Sequence, residues 1–298
     1  MALSEIGKRN VVAPLVSIWN RLPVIVRAPI TGLLLAAAGT VPWAILVSEN
    51  LKHAPTLPWA VFPAGLYLSL FWRFVRGVGW PQSSAAARRT LCRANFLSAE
   101  VWGMALVAGV FGLAAVVLLQ QLMARLIMLP QQQKVDTSQL PFVTVLLWVV
   151  MGSLVAGVVE EATFRGYMQG PIERAYGPVI AILVTGSLFG FAHFTHPEVG
   201  LVLLPYYLVV SAVYGALAYF TKSILPSMLL HAVGDMFSAL DLLASGRSQW
   251  QGSSRPILLI WETGPDASFW FAVIAFLVVA TVAVGMYATL ANVVAKTQ

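Results

Sequence analysis

Two adjacent acids, Glu160 and Glu161, stand at the end of an apolar stretch that begins near Phe142, and Arg165 follows four residues later. An ionisable residue inside a membrane-length apolar segment costs at least ~2.5–3.5 kcal/mol to insert, so such residues mark functional sites by default. In a helix, Glu161 and Arg165 share one face, with the acid nearer the N-terminus, which favours an ion pair. The alternative is that both acids form solvated pairs at a membrane boundary.

Helical spacing separates the roles of the two acids. Glu160 is rotated ~100° from Glu161 about a helix axis, and the residue four positions after it is Phe164. Glu161 therefore has a local partner, whereas Glu160 has none. An unpaired acid is available for general acid–base work, so Glu160 is the stronger candidate for catalysis.

A histidine on the next predicted span stands at a matching depth. The dipeptide Gly177–Pro178 predicts a helix stop followed by a helix start. Glu160 lies 17 residues before Gly177, and His193 lies 16 residues after it. An antiparallel hairpin folded at this turn would bring Glu160 and His193 to nearly the same depth. The alternative for His193 is a lone, hydrogen-bonded histidine at the membrane interface.

A second histidine, His231, precedes Asp235 by four residues, so both lie on one helical face. The predicted span begins just after a basic residue, which places His231 within about two turns of the cytoplasmic side, at ~1.5 Å per residue. We assign Arg165, which follows Glu160, to a loop on that same side. These positions predict a shared cavity that opens toward the cytoplasm. The alternative is a structural hydrogen bond between helices.

The elements that position these residues are predicted to be membrane helices. The chain is 59% hydrophobic and only 10% charged, whereas a soluble domain carries about 25% charged residues. The fold class is therefore all-α, a polytopic integral membrane bundle in one domain over 29–298, preceded by a basic N-terminal segment over 1–28. About eight spans fit the apolar pattern: 30–47, 57–74, 101–123, 142–161, 179–194, 201–220, 224–243 and 269–293.

The basic residues predict the orientation of the bundle. With both termini cytoplasmic, 13 of the 18 basic residues fall inside and 5 fall outside, which agrees with the positive-inside rule. The loop at 75–95 is the strongest cytoplasmic marker, and the loops at 131–140 and 245–266 are predicted outside. Because the positive charge lies in short loops, a net charge of +6 does not indicate nucleic-acid binding.

Other chemistries find little support in the sequence. The single cysteine, Cys92, excludes an intrachain disulfide and a thiolate metal cluster. The sequence has no HExxH, no GxSxG and no phosphate-binding loop of the GxxxxGK[ST] type. We expect His196 and Asp241 to lie outside the catalytic set.

Three stretches together resemble a known family. Glu160-Glu-Ala-Thr-Phe-Arg165, Phe189-Gly-Phe-Ala-His193 and His231-Ala-Val-Gly-Asp235 are similar to the EExxxR, FxxxH and Hxxx(N/D) motifs of the CAAX-protease and bacteriocin-processing (Abi) family. All three motifs occur in the family's order on separate predicted spans. The resemblance covers about 142–245.

This resemblance implies a role for each residue of the motifs. Glu160 would be the general base that activates a water, and His193 would help to hold that water. His231 and Asp235 would face the oxyanion. The family's prenyl protease commonly has asparagine where Asp235 stands, so Asp235 is also open to orienting His231. Glu161, with Arg165, would be structural, although it is also open to contacting the water.

The resemblance implies an intramembrane glutamate-type endopeptidase, without metal or cofactor, in a bacterial inner membrane. The partners would be the lipid bilayer and a membrane-associated or lipidated peptide or protein, with no nucleic acid. Glutamate and two histidines also form a known zinc ligand set, so a metal site stays open. Two other functions stay open as well: a non-catalytic scaffold or bacteriocin-immunity protein, and a proton-coupled transporter.

Overall fold

The computed structural model describes residues 12–128, 135–193, 197–245, 247–248 and 259–297. Its helices are α1 Val12–Arg21, α2 Val24–His53, α3 Val61–Val75, α4 Ala85–Cys92, α5 Ala99–Leu126, α6 Phe142–Glu160, α7 Gly170–Tyr176, α8 Pro178–Ala192, α9 Pro197–Thr221, α10 Leu225–Ser238, α11 Leu240–Ser245, α12 Ile260–Thr263 and α13 Ala267–Thr297. A 3-10 turn, Gln82–Ser84, precedes α4, and a π-helical segment, Glu161–Gln169, joins α6 to α7.

Several regions discussed from the sequence fall partly or wholly beyond this description. Residues 1–11 of the basic N-terminal segment, His196 and half of the predicted loop at 245–266 lie outside the described residues. Asp241 lies in α11. The two predicted outside loops are joined by a short antiparallel ladder, in which β1 (Val135–Asp136) pairs with β2 (Arg247–Ser248).

The bundle has a basic end, where the largely buried acid Glu173 pairs with two basic residues. Glu173 in α7 forms ion pairs with Arg93 at 3.1 Å and with Lys222 at 3.2 Å. Arg93 also donates to the carbonyl oxygen of Ala218 at 2.7 Å. The start of α10 is fixed at the same end, because the Ile224 amide donates to the Arg93 carbonyl. Through these contacts, the ends of α7 and α9 lie close to the starts of α5 and α10.

The opposite end carries its own set of contacts. Arg125, at the end of α5, pairs with Asp266, just before α13, at 3.1 Å. The indole of Trp261 donates to the Leu126 carbonyl, and Thr144 at the start of α6 donates to the Thr56 carbonyl in the loop after α2. The long helices therefore alternate in direction between the two ends.

Among the residues that the structure describes, five helical stretches are long and apolar enough to cross a membrane: Val24–His53, Ala99–Leu126, Phe142–Tyr176, Leu201–Thr221 and Ala267–Thr297. Two shorter apolar helices, Val61–Val75 and Pro178–Ala192, have 15 residues each, and α10 has 14. At 1.5 Å per residue, a 15-residue helix is ~22 Å long, less than a ~30 Å hydrocarbon core. Seven of the predicted spans thus overlap one continuous helical stretch each, five of them of spanning length, whereas the span predicted at 224–243 is divided between α10 and α11.

The fourth predicted span continues well past Glu161, which corrects one assignment. Arg165 lies inside the bundle with a side chain only 1% exposed, so its assignment to a cytoplasmic loop is wrong. The helical path runs on through the π-helical segment and α7 to Tyr176, and Gly177 then takes a φ of 85° before α8 begins. The turn predicted at Gly177–Pro178 is confirmed.

Two glycines allow the close packing that positions the acids. A Cβ on Gly157 would stand 2.8 Å from the Met228 carbonyl oxygen and 2.9 Å from the Ala232 Cβ, so α6 approaches the backbone of α10 directly. A Cβ on Gly166 would stand 2.9 Å from the Cys92 carbonyl oxygen, which brings α4 against the π-helical segment. Glu160 and Glu161 lie between these two contacts.

Candidate active site

The π-helical segment holds a buried ion pair at its first turn. Glu161 and Arg165 are 0% and 1% exposed, and their Oε1 and Nη1 atoms are 3.1 Å apart. The guanidinium is further held by Ser211 on α9, whose hydroxyl oxygen accepts at 3.3 Å, and it lies 4.7 Å from the Phe189 ring centroid. Single π-helical turns are rare and often occur at functional sites. The predicted Glu161–Arg165 pair is therefore present and fully enclosed.

Glu161 has a second partner that the sequence did not suggest. The Nδ1 atom of His231 lies 2.8 Å from Glu161 Oε1. A carboxylate accepts hydrogen bonds, so the Nδ1 proton of His231 is donated to Glu161. Glu161 thus holds the Nδ1 side of the His231 ring, and the role of Asp235 toward His231 stays a prediction.

His193 immediately follows α8, and its ring is held by the helix end. Its Nδ1 atom lies 2.7 Å from the Phe189 carbonyl oxygen. A carbonyl oxygen can only accept, so Nδ1 carries the proton, and in the neutral ring Nε2 keeps its lone pair. The Nε2 atom lies 3.9 Å from Glu160 Oε2. The equal depth predicted for Glu160 and His193 is therefore observed.

Glu160 stands between the two histidines without a direct hydrogen bond. Its Oε2 atom is 3.9 Å from His193 Nε2 and 3.7 Å from His231 Nε2, and this buried oxygen has no hydrogen-bond partner among the described residues. Both separations exceed a direct hydrogen bond and match polar groups that share a bridging water. Glu160 and Glu161, although adjacent, occupy different environments.

Asp235 lies one turn beyond His231 on α10, at the edge of this cluster. Its Oδ2 atom is 3.9 Å from His231 Nε2, and its side chain is 41% exposed. Asp235 therefore faces the same nitrogen of His231 as Glu160 does, from the more open side. The structure brings together all six residues singled out in the sequence: Glu160, Glu161, Arg165, His193, His231 and Asp235.

A known protein family matches the part of the chain that carries these contacts. Residues 142–237 match the model of a family described as type II CAAX prenyl endopeptidase Rce1-like. This segment, about a third of the chain, is similar to the CAAX-protease family. The resemblance inferred from the three motifs is confirmed, and the family indicates a membrane-embedded protease of the endopeptidase type. No curated protein and no solved structure matches the chain.

The family segment forms one wall of a cavity of about 740 Å³ beside the cluster. His193, His231 and Asp235 line it, and the other wall is α5, from Val110 to Gln120, which lies outside the matched segment. A volume of this size suits a ligand of several residues or a drug-sized molecule, since such sites span ~300–1,000 Å³. The cavity thus borders three of the four predicted catalytic residues.

The cavity lies away from the basic end of the bundle, and the predicted cytoplasmic opening stays a prediction. It is lined by α5 from Val110 to Gln120, the middle of α9 and α10 from Leu230 to Ser238, and the α5 and α10 stretches lead away from the basic end. The prediction depended on Arg165 being in a cytoplasmic loop near Glu160. Because the helical path continues to Tyr176, Glu160 lies deeper in the bundle than the sequence suggested.

Three aromatic residues of the site were not predicted, or were given no role. Tyr214 stacks on His231 with ring centroids 5.0 Å apart and planes 13° apart. Tyr207 lies 4.9 Å from the His193 ring, and Phe189 lies 4.4 Å from it. Tyr207 and Tyr214 are seven residues apart on α9, which places them on one helical face. That spacing was a usable signal, but nothing in the sequence paired it with the histidines.

The side chains of Glu160, His193 and His231 are also of the types that bind zinc. Among the described residues, no group of three or more His, Cys, Asp and Glu side chains has an arrangement that could hold a metal ion.

Proposed function

We propose that the chain is an intramembrane endopeptidase that hydrolyses a peptide bond of a membrane-associated or lipidated peptide or protein. The observation that carries this proposal is the placement of Glu160 Oε2 between the Nε2 atoms of His193 and His231, at 3.9 and 3.7 Å. A scaffold has no need of a buried acid that faces two histidines without hydrogen-bonding either one.

In the proposed first step, a water bound between Glu160 and His193 attacks the scissile carbonyl carbon. Glu160 takes a proton from this water as general base. His193 holds the water through the lone pair on Nε2, because its Nδ1 proton is committed to the Phe189 carbonyl. Collapse of the tetrahedral intermediate breaks the C–N bond, and Glu160 returns the proton to the leaving amine.

We assign stabilisation of the oxyanion to His231. With its Nδ1 proton donated to Glu161, a protonated His231 presents its Nε2 proton to the cavity. Asp235, 3.9 Å from that nitrogen, supports the positive charge or donates a hydrogen bond of its own when protonated. A fixed donor aimed at the developing charge is the largest catalytic contribution in many hydrolases. Glu161 and Arg165 are positioning residues in this scheme.

We further propose eight membrane passes with both termini in the cytoplasm, and a single membrane domain over 29–298. The alternation of the helices between the two ends supports an even number of passes, and the basic end fits the cytoplasmic side of a bacterial inner membrane. The cavity leads away from that end. In this orientation the substrate therefore reaches Glu160 through the outer half of the membrane, contrary to the prediction from sequence.

The activity is tested by comparing cells that express the wild type with cells that express Glu160→Gln. Enrichment of new protein termini from their membranes identifies cleavage products and substrates together. Products that depend on Glu160 support the proposal, and the purified protein should then cleave the same sequence in detergent. Identical sets of termini from both strains would refute it.

The proposed orientation is tested separately by thiol labelling in intact cells. Single cysteines are placed at Arg73, near the basic end, and at Trp261, near the opposite end, after Cys92 has been replaced by alanine. A membrane-impermeant maleimide is expected to label position 261 and to leave position 73 unlabelled until the cells are opened. The reverse pattern would place the cavity on the cytoplasmic side.

A further inference from the structure

A second cavity, of about 580 Å³, lies beside the π-helical segment and shares no lining residue with the cavity at the acid–histidine cluster. Its lining comes from α1, α2, α4 and the π-helical segment and α7 that follow α6, and it includes two arginines, Arg27 and Arg174. No carboxylate of the described residues lines it or forms an ion pair with either arginine. Its lining among the described residues is therefore positively charged and contains no acidic side chain.

The rest of the lining is apolar or interfacial. Trp19 on α1, Val24 on α2 and Leu91 on α4 face the same space as the two arginines. Tryptophan is enriched where a membrane meets water. α1 also exposes Ile18, which is 59% accessible, as expected for a helix that lies along the membrane surface. The lining thus combines groups that suit a charged headgroup with groups that suit an acyl chain.

The location matches the charge. Arg174 belongs to the same short helix as Glu173, which holds Arg93 and Lys222 at the basic end. Basic pockets between membrane helices on the cytoplasmic side bind anionic lipid headgroups, and guanidinium groups recognise phosphate oxygens through paired hydrogen bonds. The pocket joins α1 to the helices that carry the active site, so an occupant would tie them together.

We propose that this pocket binds the phosphate headgroup of an anionic phospholipid, with Arg27 and Arg174 as the phosphate ligands and Trp19 packed on the glycerol and upper acyl chain. The shared chemistry is that of a phosphate anion. The apolar lining commits the site to a lipid rather than to free phosphate. This inference does not depend on proteolysis.

The test uses the purified full-length chain in a neutral detergent. Phosphatidylglycerol, phosphatidylcholine and inorganic phosphate are titrated separately, and binding is followed by native mass spectrometry and by the thermal shift of tryptophan fluorescence. We expect one phosphatidylglycerol to be retained and to raise the melting temperature. Phosphatidylcholine and inorganic phosphate should have much smaller effects. Equal shifts with phosphatidylcholine, or a full shift with inorganic phosphate alone, would overturn the proposal.

The variants separate a built site from general surface charge. R27Q/R174Q should weaken phosphatidylglycerol binding by about tenfold or more, because it removes both guanidinium groups that would donate to the phosphate. The control R73Q/K296Q removes the same charge at the same end, away from the pocket, and should bind as the wild type does. Equal weakening in both double variants would refute a specific site.

A single variant keeps the test decisive if the double variant is unstable. Arg174 is exposed, so R174Q is expected to fold normally and to weaken phosphatidylglycerol binding by about threefold or more. Unchanged binding in R174Q would remove Arg174 from the site and overturn the assignment.

Discussion

Replacing Glu160 and Glu161 separately by glutamine should have different effects on the thermal stability of the protein. Glu161 is 0% exposed and its partner Arg165 is 1% exposed, so Glu161→Gln leaves a buried guanidinium without its counter-charge. Removing one partner of a buried pair costs about 3–5 kcal/mol. Glu160 Oε2 has no hydrogen-bond partner among the described residues, so Glu160→Gln removes a buried charge and breaks no hydrogen bond made by that oxygen.

The expected melting temperatures follow from these environments. Glu161→Gln should lower the apparent melting temperature in detergent by at least ~6 °C, taking ~2 °C per kcal/mol for a chain of this size. Glu160→Gln should melt with the wild type or slightly above it. Glu100→Gln, an exposed acid at the start of α5, is the control for loss of one negative charge and should leave the melting temperature unchanged.

Cleavage should fall in both variants, but for different reasons. Glu160→Gln removes the general base, which contributes about 10²–10⁴-fold to such reactions, in a protein that remains folded. Glu161→Gln removes the charge that orients His231 and loses activity together with stability. The assignment of roles is refuted if Glu160→Gln destabilises the protein as much as Glu161→Gln does, or if Glu161→Gln melts with the wild type.

Three further predictions concern residues beside or far from these acids. D235N should retain cleavage within about threefold, because an amide can donate to the oxyanion, whereas D235A should lose about tenfold or more; equal losses would show that the charge is required. Y214L should slow cleavage by about threefold to tenfold through loss of the ring stacked on His231, and Y214F should restore it; an inactive Y214F would instead point to the hydroxyl. Hydrogen bonds from Ser268, the Phe269 amide and Arg125 lower the pKa of Asp266 to about 2, so its contribution is complete above about pH 4 and is lost as the pH falls toward 2. The difference in melting temperature between D266N and the wild type should therefore shrink over that interval, and a constant difference would contradict this.

The sequence predicted the parts of the site that depend on local spacing. The Glu161–Arg165 pair follows from a four-residue separation, and the turn at Gly177 follows from a glycine–proline dipeptide. The matching depth of His193 follows from counting residues along two antiparallel helices from that turn. Each inference needed only the geometry of one helix or one hairpin, which the order of apolar and polar residues specifies.

The parts that the sequence did not reveal depend on contacts between distant segments. The bond from His231 to Glu161 joins residues 70 positions apart, and the Tyr214–His231 stack needs the rotation of α9 against α10. The π-helical segment is also invisible to a 3.6-residue pattern, because a single wider turn is fixed by its neighbours: Gly166 against α4 and Arg165 against α9. Tertiary packing, rather than local preference, decides these features.

One consequence of that packing explains why two adjacent acids can be assigned different chemistry. The helical path continues for a further 16 residues beyond Glu160 before it reaches the basic end. Both acids therefore lie inside the bundle and not in a solvated loop at its end. Glu161 is stabilised by Arg165 and His231 together. That network uses the Nδ1 side of His231 and turns its Nε2 side toward Glu160 and the cavity. The structural acid therefore fixes the ring that faces the catalytic acid, which is why a change at Glu161 should impair both folding and cleavage.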